Sequence, residues 1–541
     1  MLYNTYQIKK PIRLIELFAG YGSQALALKY LGVNFEHHKI CEWATKSIQA
    51  YNDLHIRDYA DYSKELTQND VIELLTSYGV SMDYNKPMTY NQIKCKGEKW
   101  QRDTYNNIIA THNLVNIQNA KAKDLNIVDT NKYDYILTYS FPCQDLSLAG
   151  KREGMSRDSG TRSGMLWEVE RLLKECEELP QILVMENVPQ VHGKGNMEYF
   201  QEWIMELEKL GYTSFYDDLN SKNFCIPQNR QRTFMISLLG KYNYKMPKTM
   251  KLKYRLKDML EKEVSKKYYL SDKMIDCLLG KNMTSDFPRG DVFLRTLKNT
   301  NEKEIASTIT CAAGQRPSDN FILIKEKTKE ECTKTNDDYL ETYRFAQSDN
   351  FMKGKDRFIP NKEYSDTILT QCKEGVVTVG NYSPSGHNAS RIVDSEGIAP
   401  TVMENHGTVT AVVEDKPKLI GGIGEKKSNG GTQYYQQDRI YDSESIAMAH
   451  LANLPGGSYK YQVNIPPLRI RKLTPKECYR LMGVKDEDFK KVNKNQLDSS
   501  LYHLAGDSIV TTCLMAIFGE LLSVDYKTKI NDLVNHIVKN D

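Results

Sequence analysis

The chain is short of the features that mark several common protein classes. Its eleven cysteines include no C-x-x-C pair and follow no regular spacing. That excludes a zinc-ribbon or zinc-finger framework, and no metal site is expected. Their odd number excludes a fully paired disulfide scaffold and points to a reducing, cytoplasmic compartment. An excess of one charge sign is also missing, because 73 Lys and Arg stand against 70 Asp and Glu for a net +3. The chain as a whole is not a polycation, so any nucleic-acid surface must gather its positive charge on one face. No apolar run reaches bilayer-spanning length, so no membrane segment is expected. At the start, "MLYNTYQIKKPIRLIELF" puts a basic pair and a proline before a run too short for a signal-peptide core.

What is present is length and pattern. At 541 residues the chain can hold two or three domains. "IRLIELF" (12–18) reads as a buried strand, and "FAGYGSQALALKYLG" turns through glycines into a helix ending at Gly32. Further strands are expected in 33–41, 134–140, 181–187 and 232–239, with helices at 164–179 and 197–212 between them. A polar, helical segment at about 53–118 reads as an insertion. Strand and helix alternate, which predicts an α/β domain with a mainly parallel sheet over 1–240. From 241 to 465 short β-like runs, glycines and polar turns take over. This region carries an internal echo, "SRIVDSEGIA" against "DRIYDSESIA", with weaker ones near 304–314 and 355–370, and puts Arg357, Arg391 and Arg439 at similar places. From 466 to 541 the helical texture returns. Thr474 is suited to cap a helix opened by Pro475, and "YHLAGDSIVTTCLMAIFGELL" (502–522) reads as a turn into a strongly apolar helix. Such a helix needs a core, so this segment is expected to return to the first domain.

Chemistry concentrates at the ends of the strands. Gly20-x-Gly22 lies between a strand and a helix, and Glu42 follows the second strand. Glycines there let a ligand approach the backbone, the helix start offers N–H groups, and an acid about 20 residues on suits a ribose diol. Pyrophosphate dinucleotides and S-adenosylmethionine both suit such a site. Cys143, in "SFPCQDLSLAG", and Glu186, in "MENVP", each follow an apolar strand. Taken alone they are an ordinary thiol and a helix-capping acid; brought together at the carboxyl edge of a sheet they make a nucleophile and acid pair. Arg230 and Arg232 alternate in "QNRQR", so an extended segment puts both on one face, where their guanidinium forks suit phosphate or a base carbonyl. Taken alone, they are surface charges.

Together these segments resemble the cytosine-5 DNA methyltransferases of bacterial or phage type. "LFAGYGSQ" is similar to that family's cofactor loop, "ICEW" to its acidic ribose element, "SFPCQDLSLAG" to its catalytic Pro-Cys loop and "TRSGMLWEVER" to the segment after it. "MENVP", "QNRQR", "RKLTPKECYRLMG" and "LAGDS" are similar to its later elements, in the same order, so the likeness covers roughly 1–240 and 466–525. The resemblance implies a Rossmann-like S-adenosylmethionine-dependent catalytic domain with a smaller β-rich target-recognition domain. It implies a cofactor site built from Phe18, Gly20, Gly22, Glu42, Trp43, Asp124, Pro142, Leu166, Asp507 and Ser508, with S-adenosylhomocysteine as product. Two departures stand out. The last element usually reads Gly-Asn-Ser but is Gly506-Asp507-Ser508 here, and the insertion blurs the adenine-contacting element, for which Asp124 is the candidate.

The resemblance further implies methyl transfer to carbon 5 of a cytosine flipped out of duplex DNA. Cys143 would add to carbon 6, Glu186 would hold ring nitrogen 3 and the amino group, and Arg232 would hold the carbonyl at carbon 2 with Arg230 behind it. The arginine- and glycine-rich stretch 144–163 suits a loop that closes over DNA. A monomer is expected, with a cognate restriction endonuclease as a possible partner and nucleoid association in the cytoplasm. An RNA cytosine methyltransferase and a non-catalytic DNA-binding relative remain as alternatives; the long β-rich region speaks for duplex DNA, and intact Cys143, Glu186 and Arg232 speak for catalysis.

Overall fold

The computed structural model describes residues 4–142, 162–271, 274, 289–311, 314–316, 318–324, 378–381, 391–393, 411–412, 419–422, 439–441 and 469–539. The chain divides into two compact units. The first comprises Met1–Asp272, Asn299–Ile322 and Ile470–Asp541, and the second Lys273–Lys298 and Leu323–Arg469. The stretch Asn299–Ile322, read from the sequence as part of the variable region, thus falls in the first unit.

The first unit is built on a six-stranded sheet. Its strands are β1 (Ile12–Leu17), β2 (Phe35–Cys41), β3 (Asp134–Tyr139), β4 (Ile182–Asn187), β5 (Tyr212–Asn220) and β6 (Gln231–Leu239), in the spatial order β2-β1-β3-β4-β6-β5. β2, β1, β3 and β4 run parallel; β6 runs antiparallel to both β4 and β5. β3 and β4 are buried along their whole length, as continuous apolar strands covered on both faces should be. The sequence reading missed β5. The 3.6-residue pattern of the preceding helix (Met197–Lys209) breaks at Gly211, and "YTSFYDDLN" lacks a clear alternation.

Helices cover the sheet. α1 (Ser23–Leu31) starts from Gly22 at φ 82° and ends on Gly32 at φ 77°, both left-handed positions that glycine adopts without strain. On one face of the sheet Trp203 packs edge-on against both Tyr139 and Trp167, and its indole donates to the Tyr139 hydroxyl at 3.0 Å. The insertion forms its own small core. Ile48 of α2 (Thr45–Tyr51), Val71 and Leu75 of α3 (Gln68–Tyr78), Ile93 of α4 (Tyr90–Lys94) and Ile108 of α5 (Glu98–Ala110) pack together.

The C-terminal segment lies in the same unit. Thr474 caps α6 (Pro475–Leu481) by accepting from the Glu477 N–H, with Pro475 at the first helical position. Two buried bidentate ion pairs, Arg471 with Glu477 and Arg480 with Asp486, fix that helix, and Tyr479 stacks on Tyr21 of the first glycine turn. The segment 502–522, read from sequence as a turn into an apolar helix, begins inside α7 (Asp498–Asp507), and a short turn then leads into α8 (Thr511–Leu522). This helical stretch, 498–522, corrects the expectation that no run is long enough to cross a bilayer. By length and hydropathy it qualifies, but 89% of its most apolar window is buried inside the protein, as in a core helix.

In the second unit, the described parts of the two echoing segments form similar strand pairs. Thr378–Asn381 pairs antiparallel with Arg391–Val393, and Leu419–Gly422 with Arg439–Tyr441. Asn381 faces Arg391 as Gly422 faces Arg439, and each hairpin shifts register at the same place, between Thr378 and Gly380 or between Leu419 and Gly421. Arg357 lies outside the described residues.

Candidate active site

The chemistry-bearing residues collect at the carboxyl edge of the parallel strands, where open α/β sheets bind ligands. At the end of β1 the chain turns sharply, with Phe18 at φ 59° and Gly20 at φ 55°. The Phe18 N–H donates to the Cys41 carbonyl at 2.8 Å, tying this turn to the end of β2. Gly22 has no room for a side chain, since a Cβ there would lie 2.5 Å from His55 Nε2 and 2.6 Å from the Tyr51 ring. A Cβ on Gly20 would meet nothing within 4 Å, so that face of the turn is open.

Glu42 stands beside it. Its Oε2 accepts from the Gly20 N–H at 2.9 Å and its Oε1 from the Ala44 N–H at 2.8 Å. Burial pushes this carboxyl up to about 7; its backbone donors oppose that, and nearby Asp507 adds to it. A buried carboxylate aimed beside an open glycine turn fits a nucleoside diol, whose hydroxyls can donate to it. Asn113, at the exit of the insertion, grips the Glu42 backbone from both sides: its Oδ1 accepts from the Glu42 N–H at 3.0 Å and its Nδ2 donates to the Glu42 carbonyl at 2.9 Å. Trp43 is half-buried against the insertion core, and its carbonyl accepts from the Ser81 N–H. Asn113 was missed in the sequence, because no local pattern ties it to residue 42. Asp124 lies in a short helical turn, Ala122–Leu125, where its carboxylate accepts from the Lys121 N–H. Leu166 has its side chain wholly buried in the core under the sheet.

The other half of the site forms where β4 meets β6. Because β6 is antiparallel, its beginning lies against the end of β4, with Glu186 facing Phe234 and Asn187 facing Thr233. That register brings Arg232 to Glu186, Nε to Oε1 at 3.2 Å. Burial pushes the Glu186 carboxyl up, and the guanidinium groups of Arg232 and Arg230 pull it back without cancelling the rise. The Asn187 amide donates to the Phe141 carbonyl at 3.0 Å, which fixes the backbone just before Pro142. Cys143 and most of the expected closing loop, 144–163, lie outside the described residues.

Arg230, grouped with the catalytic residues in the sequence reading, has a different part. It is buried, and its guanidinium donates to the carbonyls of Ile309, Gly506 and Ser508 at 3.0, 3.0 and 2.7 Å. Burial lowers it to about 10, with Arg232 adding to the effect. It is a positioning residue that ties the start of β6 to the last cofactor element. In that element the Ser508 hydroxyl donates to the Ala505 carbonyl at 2.9 Å, and Asp507 sits 2.7 Å from Cys311 and 3.0 Å from His503.

The fold is an open α/β sheet with a glycine turn, a buried acid after the second strand and an acid–arginine pair at the switch to an antiparallel strand. The chain belongs to the C-5 cytosine-specific DNA methylase family, whose model matches residues 88–523. The match begins inside the insertion, so the glycine turn and Glu42 are additional to it. The chain is therefore a DNA (cytosine-5-)-methyltransferase. It is 35% identical over 270 residues to the type II methyltransferase M2.ScrFI of Lactococcus lactis subsp. cremoris, covering 49% of this chain and 71% of that one. It is 34% identical over 303 residues to the orphan methyltransferase M.SssI of Spiroplasma monobiae, covering 55% and 74%. Against the orphan methyltransferase M.SPRI of Bacillus phage SPR the identity is 27% over 445 residues, covering 74% and 87%.

Proposed function

We propose that this protein methylates carbon 5 of a cytosine within a specific short site in duplex DNA, with Cys143 as nucleophile and S-adenosylmethionine as donor. The observation that carries the reading is the pair of buried Glu186 and half-buried Arg232 beside the segment leading to Pro142. Glu42, Gly20, Trp43 and the backbone around Asp507 would hold the cofactor, and the open face of Gly20 supports this fit. When bound, S-adenosylmethionine supplies a methyl group on a sulfonium and leaves as S-adenosylhomocysteine.

The chain's own residues do the rest. The Cys143 thiolate adds to carbon 6, which turns carbon 5 into an enamine-like nucleophile. Glu186, whose carboxyl burial raises above its ordinary value, donates in its protonated form to ring nitrogen 3 and offsets charge developing there. Arg232 holds the carbonyl at carbon 2. After methylation water takes the proton on carbon 5, the 5,6 double bond re-forms and Cys143 leaves as its thiolate. A stacked base cannot reach these groups, so the cytosine is flipped out, at a cost of a few kcal/mol. We assign 1–240 and 466–541 to catalysis and 241–465 largely to target recognition, with the paired hairpins as reading elements. The protein acts as a monomer on nucleoid DNA in the cytoplasm, either alone or beside a cognate restriction endonuclease.

Bisulfite sequencing of DNA from cells expressing the protein, beside cells expressing Cys143→Ser, tests this. Protected cytosines in one short context, absent with the variant, are expected. Soluble wild-type protein that protects no cytosine would overturn the reading.

A further inference from the structure

The last cofactor element carries a group of side chains that methyl transfer does not use. Cys311, His503 and Asp507 each point a ligand atom into one small volume, all within 4.8 Å of one another. Cys311 Sγ lies 2.7 Å from Asp507 Oδ1 and His503 Nε2 3.0 Å from Asp507 Oδ2. The sulfur contact is shorter than the ~2.9 Å mode of an N–H···O bond, although sulfur is the larger atom. His503 Nε2 is buried, and apart from its close approach to Asp507 it meets no hydrogen-bond acceptor among the described residues.

The surroundings hold these groups in place. His503 and Asp507 sit one helical turn apart, on one face of α7. Gly506 between them lets the other segment approach, for a Cβ there would lie 2.3 Å from the Cys311 N–H nitrogen. Arg230 staples the two segments by donating to Ile309 on one and to Gly506 and Ser508 on the other. Tyr84 packs its ring 3.9 Å from the imidazole centroid. Two ligands at i and i+4 on a helix with a third from a stapled loop is a recurrent metal-binding arrangement.

We propose that Cys311, His503 and Asp507 form a binding site for a thiophilic divalent cation of the zinc class. Zinc takes sulfur at about 2.3 Å, nitrogen at about 2.0–2.1 Å and carboxylate oxygen at about 2.0–2.2 Å, so tetrahedral ligand atoms lie roughly 3.5 Å apart. Small movements within the observed cluster reach that spacing. Three protein ligands leave a fourth position for water, on the side where Asp507 is open to solvent. On binding, Cys311 loses its thiol proton to solvent and no electrons are transferred. Because Asp507 belongs to the cofactor element, the cation and the cofactor compete, a consequence that rests on the cofactor assignment made above.

Cobalt(II) is the probe, used with full-length Cys143→Ser protein so that the nucleophile adds no thiolate. A saturable thiolate-to-cobalt charge-transfer band is expected, displaced by zinc. Adding Cys311→Ser should abolish it, and adding His503→Gln should weaken binding by more than the ~10–100-fold typical of losing an outer-shell partner. No band at stoichiometric cobalt, or a band that survives Cys311→Ser, overturns the site. S-adenosylmethionine binding, measured by calorimetry in chelator-treated protein, should weaken when zinc is added. Unchanged binding overturns the competition. Absence of cofactor binding in metal-free protein would instead overturn the cofactor assignment, with the cobalt result standing.

Discussion

The two halves of the active-site edge are built by different means. On the β2 side, Glu42 is held by backbone N–H groups, and Asn113 grips its main chain in turn. On the β6 side, Glu186 is faced by a side chain, Arg232, across 3.2 Å. Backbone donors are fixed by the fold and leave the first half shaped before any ligand arrives. A side-chain pair can open and re-form around a third group. The first half suits a cofactor that binds in one pose, the second a base whose charge changes during reaction.

The sharpest way to break this contrast is to remove the side-chain half. Arg232→Ala and Glu186→Gln should each lower turnover by ~10²–10⁴-fold, the usual worth of an acid–base group, with melting temperature and cofactor affinity nearly unchanged. Arg232→Ala should also move the alkaline limb of the pH–rate profile, where Glu186 loses its proton, upward, because the guanidinium pulls the Glu186 carboxyl down. Single-turnover methylation of duplex DNA across pH measures both. A large loss of cofactor affinity in either variant would show that the two halves are one site rather than two.

Arg230→Ala tests the opposite expectation two residues away. Its guanidinium serves the carbonyls of Ile309, Gly506 and Ser508, so removal orphans three buried acceptors. A stability loss of about 3 kcal/mol or more is expected in urea unfolding. Turnover at saturating cofactor should fall less than with Arg232→Ala. If Arg230→Ala folds as well as wild type and loses only turnover, Arg230 touches the reacting base and the assignment as a strut is wrong.

These arginines also mark where the sequence was legible. Their alternation, the apolar strands and the glycine turn are local patterns, and the strands at 12–17, 35–41, 134–139, 182–187 and 231–239 lie where those patterns put them. What distinguishes Arg230 from Arg232 is not local. It depends on carbonyls more than 70 and more than 270 positions away, at Ile309 and at Gly506. Asn113, Tyr84 and His503 were invisible for the same reason: each reaches the site across an inserted segment or from the far end of the chain. The antiparallel direction of β6, which delivers Arg232 to Glu186, has no signature in its residues either. Leu166 is a motif position whose side chain the core has taken up.

The backbone-built half is tested by pH. Glu42 ordinarily would titrate near 4.5 but is pushed up to about 7, chiefly by burial, with Asp507 adding and the Gly20 and Ala44 N–H groups opposing. A diol donates to the ionised carboxylate, so cofactor binding should favour loss of its proton. Affinity is therefore expected to rise as pH climbs through 7 and to level off above it, with proton uptake by buffer on binding below 7. For folding the sign is reversed. A carboxyl whose folded value lies above its unfolded one stabilises the protein below about 4.5, and this contribution is lost as pH rises through 7. Glu42→Gln should abolish the pH dependence of affinity and cost ~10–100-fold in binding, the worth of a charge-assisted hydrogen bond. Glu16 is the control. It too is pushed to about 7 by burial, but its oxygens face Tyr51 and the Ala25 N–H beneath the glycine turn. Glu16→Gln should alter the pH dependence of stability and leave that of affinity in place. Calorimetric titration of both variants with S-adenosylmethionine between pH 6 and 8 decides the matter: a pH dependence that follows Glu16 rather than Glu42 would mean that the turn itself, not the diol-facing acid, controls binding.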